Sequence, residues 1–314
     1  MKIILELPFF SNTVGGITAT IALAKELNAE IRFQSVQKLY PHNLPVPFTV
    51  GKADHTFSAC DVCITYSDNP FAKNLLYLPQ IKRVACYFQS YGMSYSHEHY
   101  NANHPAIINL CNTRKIEEAI RRDGLFAHNI GFGLDMQEFV DYGNERKNYL
   151  AIMYHDMPSK KYDIAVRVAD LLYSKGIIEG VISFGMLDNY KKHQHPKGLV
   201  AHYGNATKYG VAEVFNRCKA YLMPSISEGL NLTPIESTLC GCPAVIVDGA
   251  INEIFIDNIN CITAKKNDIF EMANELRLLI ENYDSESINM KFNMQETIKG
   301  YTWSNVANKI KEVL

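Results

Sequence analysis

The chain has 314 residues, which at about 150 residues per domain suggests two domains, each able to bury a core. Apolar residues make up 47% and charged residues 20%, and 31 basic against 33 acidic side chains leave a net charge of −2, which argues against a strongly basic nucleic-acid coat but leaves a local basic patch open. No run of about 18 apolar residues could span a membrane, and Glu6 and Pro8 break the apolar start Ile3-Ile4-Leu5 too early for an export signal. The expected location is therefore the cytoplasm, with peripheral membrane association left open, and the eight cysteines are expected to be reduced.

Strand and helix alternate along the chain. Ile3–Leu7 reads as a buried strand, Pro8–Val14 as a loop, and Ile17–Leu27, after Gly15-Gly16, as an amphipathic helix. Further strands are predicted at Ile31–Phe33, Val62–Tyr66, Val84–Phe88, Ile107–Cys111 and His128–Ile130. A helix is predicted over Thr113–Arg122, with Thr113 as its cap and Gly124 ending it. The turn-rich stretch Gly131–Asn148 is the predicted linker.

The alternation then restarts. Strands are predicted at Tyr149–Met153, Val181–Phe184, Leu199–Tyr203, Ala220–Met223, Ala244–Val247 and Cys261–Thr263. Helices are predicted at Asp163–Ser174, Lys208–Cys218, Pro234–Cys240, Phe270–Tyr283, Glu286–Lys299 and Ser304–Leu314. Two rounds of alternation imply an α/β chain of two Rossmann-like domains with parallel sheets facing a cleft. Their predicted extents are 1–142 and 143–300, followed by a carboxyl-terminal helix over 301–314.

The stretch 220–247 carries the chemistry. A strand runs into Pro224-Ser225, and then a loop bearing Glu228-Gly229 leads into a helix that carries Glu236. Amides of Gly229, Leu230, Asn231 and Leu232 precede that helix, where free N–H groups suit an anion. Taken alone, Thr233-Pro234-Ile235-Glu236 reads as a capping box with proline at the first helical position. The whole string, continued by Gly241-Cys242-Pro243 and the strand Ala244–Val247, resembles the signature of retaining glycosyltransferases of the group 1 class (family 4), which have the GT-B fold.

That resemblance implies roles for named residues. Glu228 lies near the donor sugar, Gly229–Leu232 hold sugar and phosphate, and Glu236 accepts hydrogen bonds from the ribose hydroxyls. Lys160 or Lys161 neutralises the diphosphate; the family's preceding arginine is missing, and His155 is a candidate to replace it. Gly15 and Gly16 resemble the loop that approaches the diphosphate, and Leu199–Gly204 resembles a strand-then-glycine donor segment ending in Gly204. The segment Gly131-Phe132-Gly133-Leu134-Asp135 resembles the close of the first domain. Tyr301-Thr302-Trp303 resembles the start of a terminal helix that packs back on that domain. Gln89, Ser90 and Tyr91 stand on the acceptor side, where the family often has a histidine.

Other constellations read as structural. Cys60-Asp61-Val62-Cys63 has half the spacing of a zinc site, but Cys240-Gly241-Cys242 does not complete it, so core packing is the simpler reading. Tyr95–His104, with His97 and His99, reads as a solvated loop, and Lys191–His195 as an exposed one. No Asp-x-Asp metal signature is present, so neither metal nor cofactor is expected.

The implied activity is transfer of a sugar from a nucleotide-diphosphate donor to a hydroxyl of a glycan, a lipid-linked or another acceptor. A sugar-nucleotide epimerase and a non-catalytic sugar-nucleotide-binding module are the alternatives. Nucleic acid as acceptor is a third, disfavoured by the net charge.

Overall fold

The computed structural model describes residues 1–9, 15–35, 44–51, 57–92 and 96–314. Residues 10–14 of the predicted loop Pro8–Val14, and Tyr95, lie outside the described residues. Two units form: Met1–Asp135 with Gly300–Leu314, and Met136–Lys299.

The first unit contains β1 (Ile3–Leu7), α1 (Gly15–Leu27), β2 (Glu30–Phe33), β3 (Phe48–Val50), β4 (Cys60–Tyr66), α2 (Ala72–Leu75) and β5 (Ile81–Phe88). It continues with α3 (Ser96–Ala102), β6 (Ile107–Cys111), α4 (Arg114–Arg122) and β7 (His128–Asn129). Its strands form one parallel sheet in the order β3-β2-β1-β4-β5-β6-β7. From β1 the chain builds outward through β2 and β3, then crosses back to lay β4 on the other side of β1. The boundary between β1 and β4 is therefore the switch point, where an open α/β sheet leaves a crevice at its carboxyl ends.

Helices cover the faces because these strands are apolar on both sides. One core joins β1, β2 and β4 to α1 through Leu5, Ile31, Val62 and Leu23. The other, on the opposite face, takes in Cys60, Cys63, Cys86 and Cys111 with Leu75, Phe88 and Ile120. All eight cysteines are buried and free, and among the described residues no three His, Cys, Asp or Glu side chains are grouped to hold a metal ion. Thr113 caps α4, its hydroxyl accepting from Ile116 N at 3.3 Å, and Gly124 beyond that helix has φ of +75°.

Three features of the first unit depart from the predicted elements, the added four-residue helix α2 being one. Phe48–Val50 is an added edge strand, three residues long. Within Tyr95–His104 the chain is helical as α3, not a loop. That helix is anchored by polar groups rather than by an apolar stripe. Glu98, 1% exposed, accepts from Ser90 Oγ at 2.8 Å and Gly92 N at 3.0 Å, and Asn101 Nδ2 donates to the carbonyls of Ser67 and Asn69.

The second unit contains β8 (Tyr149–Tyr154), α5 (Tyr162–Ser174), β9 (Gly180–Gly185), β10 (Leu199–Gly204), α6 (Lys208–Arg217), β11 (Ala220–Met223) and α7 (Leu232–Leu239). It ends with β12 (Ala244–Val247), β13 (Ile262–Ala264), α8 (Ile269–Glu281) and α9 (Tyr283–Ile298). The parallel order β10-β9-β8-β11-β12-β13 puts its switch point between β8 and β11. One large cluster joins β8 and β11 to α5 and α8, with Ile152, Leu222, Val168 and Leu276 fully buried in it.

Residues 136–142, which the sequence reading places in the first domain, pack with this second unit. The cause is Arg146, 9% exposed. Its guanidinium donates to Asp141 Oδ1 at 2.8 Å, to Cys218 O at 3.1 Å and to the carbonyls of Phe215 and Cys240, while Lys291 holds the other Asp141 oxygen at 2.8 Å.

The last helix, α10 (Trp303–Val313), returns to the first unit and lies against α1, with Val306, Ala307 and Ile310 in the core. Phe132 stacks on Tyr301 at 4.7 Å, and Leu134 N donates to Tyr301 O at 2.9 Å. A Cβ on Gly133 would lie 2.2 Å from the Trp303 ring, so only glycine lets this segment pass the indole.

Candidate functional site

The second unit's site is built on the loops that leave β8 and β11, the strands flanking its switch point. After β8 the chain runs through His155 and a single 3-10 turn, Pro158–Lys160, to Lys161, whose φ of 51° turns the backbone into α5. After β11 it passes Pro224-Ser225 and reaches Glu228. Ile226 N donates to Ser159 O at 2.9 Å, which ties the two loops together.

That tie brings Lys160 to Glu228. The ammonium lies 2.7 Å from Glu228 Oε1, with the two side chains only 17% and 10% exposed. A partly desolvated pair of this kind holds a fixed positive charge in place. Lys161 points elsewhere. It lines a neighbouring cavity of about 290 Å³ with Asp156, Arg167 and His193, so only one of the two lysines joins Glu228.

His155 sits beside this pair. Burial and the nearby Lys160 charge hold its imidazole below the usual histidine range. Its Nδ1 accepts from Met157 N at 3.1 Å, so in the neutral ring Nε2 carries the proton. His155 can therefore donate one hydrogen bond to an anion, but it brings no full charge to replace an arginine.

The helix α7 starts earlier than the capping-box reading requires. Its first residue is Leu232, its cap position is Asn231, and no side chain caps it. Thr233 is already inside the helix, and its hydroxyl pairs with Tyr221 OH at 2.9 Å. Pro234 is thus the third helical residue rather than the first, and Glu236 is not a capping-box partner. The capping box is thereby corrected.

Glu236 is left half-buried on the first turns of α7, and its carboxylate makes no hydrogen bond or ion pair among the described residues. Burial pushes its carboxyl up to about 7, with Lys208 opposing and Glu138 adding to the rise. On the loops that leave β8 and β11, Ser159 Oγ, Ser225 Oγ and Asn231 Nδ2 are buried without hydrogen-bond partners among the described residues. Buried polar atoms of this kind are rare unless a ligand or water meets them.

The other expected site residues lie on other elements. Gly204 ends β10, the edge strand, and a Cβ there would meet Leu187 Cδ1 at 2.7 Å. Gly15 and Gly16 open α1 in the first unit. Ser90 turns to Glu98, and Tyr91 OH donates to Asp123 Oδ2 at 2.7 Å. Gln89, by contrast, lines a cavity of about 220 Å³ at the carboxyl ends of β1 and β4. In the loop Lys191–His195, residues 191–194 are exposed as expected, but His195 Nδ1 is buried and its ring lies 4.3 Å from that of Tyr190.

Two groups here escaped sequence reasoning. Arg146, in the predicted linker, braces the α6 and α7 carbonyls, a role revealed only by partners 69 and 94 residues away. Glu6 lines the first-unit cavity, and its one signal was a charge inside an apolar strand.

Comparison with known proteins is consistent with this geometry. The family profile described as "Glycosyl transferases group 1" matches residues 138–297, just over half of the chain. The uncharacterized glycosyltransferase MJ1178 of Methanocaldococcus jannaschii is 27% identical over 104 residues, a third of this chain. That stretch spans 29% of the relative's length. The crystal structure of HepE from Anabaena in complex with UDP and glucose superposes with a TM-score of 0.79 at 14% identity, covering 99% of each chain. A glycosyltransferase from Rickettsia africae superposes with a TM-score of 0.78 at 13% identity, covering 99% of this chain and 97% of that one. At such identities the likeness is one of fold. Among the described residues, no helix is long and apolar enough to cross a membrane.

Proposed function

The chain belongs to the group 1 glycosyl transferases and has the two-domain GT-B fold, and from that premise we propose that it transfers a sugar from a nucleoside-diphosphate donor to an acceptor hydroxyl with retention of anomeric configuration. The observation that carries this reading is the Lys160–Glu228 pair at the β8/β11 switch point, with the unpaired Glu236 carboxylate on the helix that follows.

Each group has a part in that chemistry. Breaking the sugar–phosphate bond leaves growing negative charge on the diphosphate. Lys160 has donors to spare beyond its bond to Glu228 and stabilises that charge, together with the amides ahead of α7. His155 Nε2 adds a neutral donor. Glu228 keeps the lysine in place and faces the donor sugar. Glu236, ionised, accepts from the ribose hydroxyls, and Gly229–Leu232 shape the space for sugar and phosphate. The acceptor hydroxyl attacks from the face the diphosphate leaves and passes its proton to the departing phosphate oxygen. Lysine and amides carry the charge in this account, so no metal is required.

The HepE structure holds UDP and glucose, and a uridine donor is the first to test here. The product acceptor is a glycan or glycolipid hydroxyl. A proton NMR time course on UDP-glucose with oligosaccharide acceptors tests the reading. An α-configured product formed first supports retention, whereas a β-configured product formed first overturns it.

A further inference from the structure

Tyr221 stands on β11 with its side chain wholly buried. The rings of Phe215 and Phe184, themselves buried, lie 5.3 and 5.9 Å from its own, so its aromatic body is held in the interior of the second unit. The hydroxyl at the end of that ring meets α7. Tyr221 OH and Thr233 Oγ1 are 2.9 Å apart, either serving as donor, and Met223 Sδ lies 3.1 Å from the same hydroxyl.

The first turn of α7 needs such an anchor. The opening N–H groups of a helix have no partner within it, and a cap side chain commonly takes one of them. At α7 no side chain does. For anion binding that is the useful arrangement, since an amide taken by a cap is lost to a phosphate. An uncapped helix end also frays. The Tyr221–Thr233 bond steadies the turn without using a backbone amide. Thr233 and Glu236, at i and i+3, lie on one face of the helix. Both are half-buried, whereas Pro234, Ile235, Thr238 and Leu239 are buried. Holding Thr233 therefore sets the rotation of the face that carries Glu236. The phenol also senses the site's charges: burial raises it above its ordinary range, the Thr233 bond opposes the rise, and the Glu228 and Glu236 carboxylates add to it.

We propose that Tyr221 is a positioning residue of the donor site, its hydroxyl acting through Thr233 to hold the first turn of α7, and with it the Glu236 carboxylate and the uncapped amides. The donor's part in this rests on the glycosyl-transfer reading; the anchoring of α7 stands on the second unit alone.

Three substitutions test it. Tyr221→Phe keeps the ring and removes its hydroxyl, Thr233→Val keeps the shape and removes the partner hydroxyl, and Thr233→Ser keeps that hydroxyl. Calorimetric titration of UDP and UDP-glucose, at a temperature where every variant is folded, reads the site. Amide hydrogen exchange over residues 232–239, with α8 as the reference, reads the turn. Tyr221→Phe and Thr233→Val should each bind UDP about threefold or more weakly. The double variant should bind no more weakly than the worse single one, because both changes break one interaction. Thr233→Ser should bind as the parent does. Exchange should quicken in α7 and not in α8. A merely structural hydroxyl would lower the melting temperature and leave the UDP affinity of the folded protein unchanged.

UDP affinity equal to the parent's in both folded single variants overturns the proposal, as does a Thr233→Ser variant as weak as Thr233→Val. If the parent itself binds neither UDP nor UDP-glucose, the uridine-donor reading falls and exchange decides alone. Faster α7 exchange in Tyr221→Phe and Thr233→Val, but not in Thr233→Ser, then leaves the anchoring of α7 standing, and unchanged exchange removes it.

Discussion

Lys160 and Glu228, 68 residues apart in the chain, meet through a 2.7 Å contact between ammonium and carboxylate. Each sits on the loop that leaves one of the two switch-point strands, and the Ile226–Ser159 backbone bond holds those loops in register. The sheet topology thus delivers a positioned cation to the place where an α/β fold binds anions.

The two residues act as a unit, so their substitutions should not add. Lys160→Ala and Glu228→Ala are each expected to lower turnover by about a hundredfold or more, with little change in melting temperature. The double variant should be much less impaired than the product of the two losses. Steady-state kinetics of the three variants check this. Turnover within about twofold of the parent for either single change removes that residue from the site.

Glu236 couples stability to pH. Unfolded, its carboxyl ionises near 4.5; folded, burial holds it near 7. Between these values the folded chain keeps more protons, so stability falls as pH rises through the window, and the full loss is present above about 7. The loss is on the order of 2 kcal/mol, discounted for the partial exposure of the side chain. Glu236→Gln has no such slope. Its melting temperature relative to the parent should therefore climb between pH 4.5 and about 7. Thermal denaturation across that range checks it, and parallel curves would place the carboxyl in water.

The same variant separates ribose binding from a merely structural role. Loss of a charged acceptor should weaken a nucleotide-sugar donor by about tenfold or more. A donor analogue lacking the ribose hydroxyls should bind parent and variant about equally. Calorimetric titrations give both numbers, and equal affinity for the intact donor would end the ribose assignment.

Transfer activity should survive EDTA, because a lysine and backbone amides stabilise the leaving diphosphate in this account. Complete loss of activity, restored by Mg²⁺ or Mn²⁺, would show that a metal carries that charge instead.

Gly133→Ala should lower the melting point sharply. The added Cβ meets the Trp303 ring and backbone nitrogen at 2.2 to 2.6 Å, so α10 must shift, at a cost of about 1–3 kcal/mol. Trp303 is the single tryptophan, and its fluorescence reports on that contact. An unchanged spectrum and melting point would mean the segment yields freely.

Most of the sheet was legible because parallel strands buried on both faces read as apolar runs. Ile107–Cys111, Ala220–Met223 and Ala244–Val247 needed no adjustment. Phe48–Val50 escaped because a three-residue, half-exposed edge strand leaves no such run. The helix α3 escaped because buried Glu98 and Asn101 do the work of an apolar face. In the candidate site the motif led to Glu228, Glu236 and one of Lys160 and Lys161, a choice only the contact with Glu228 makes, but local spacing suggested a capping box that tertiary pairing overrides, since Thr233 bonds Tyr221 instead. The Arg146 brace and the cavity that Glu6 lines depend on contacts across the fold, which no local pattern encodes.

Titration of UDP-glucose into the parent and into Lys160→Ala, followed by calorimetry and by melting temperature, tests the central claim most directly. A ligand at a hundred times its Kd adds about 2.7 kcal/mol to stability. The parent should show a saturable shift of that order, and Lys160→Ala should bind about tenfold or more weakly. Equal binding by the parent and a folded Lys160→Ala variant would contradict the claim that this lysine holds the donor diphosphate.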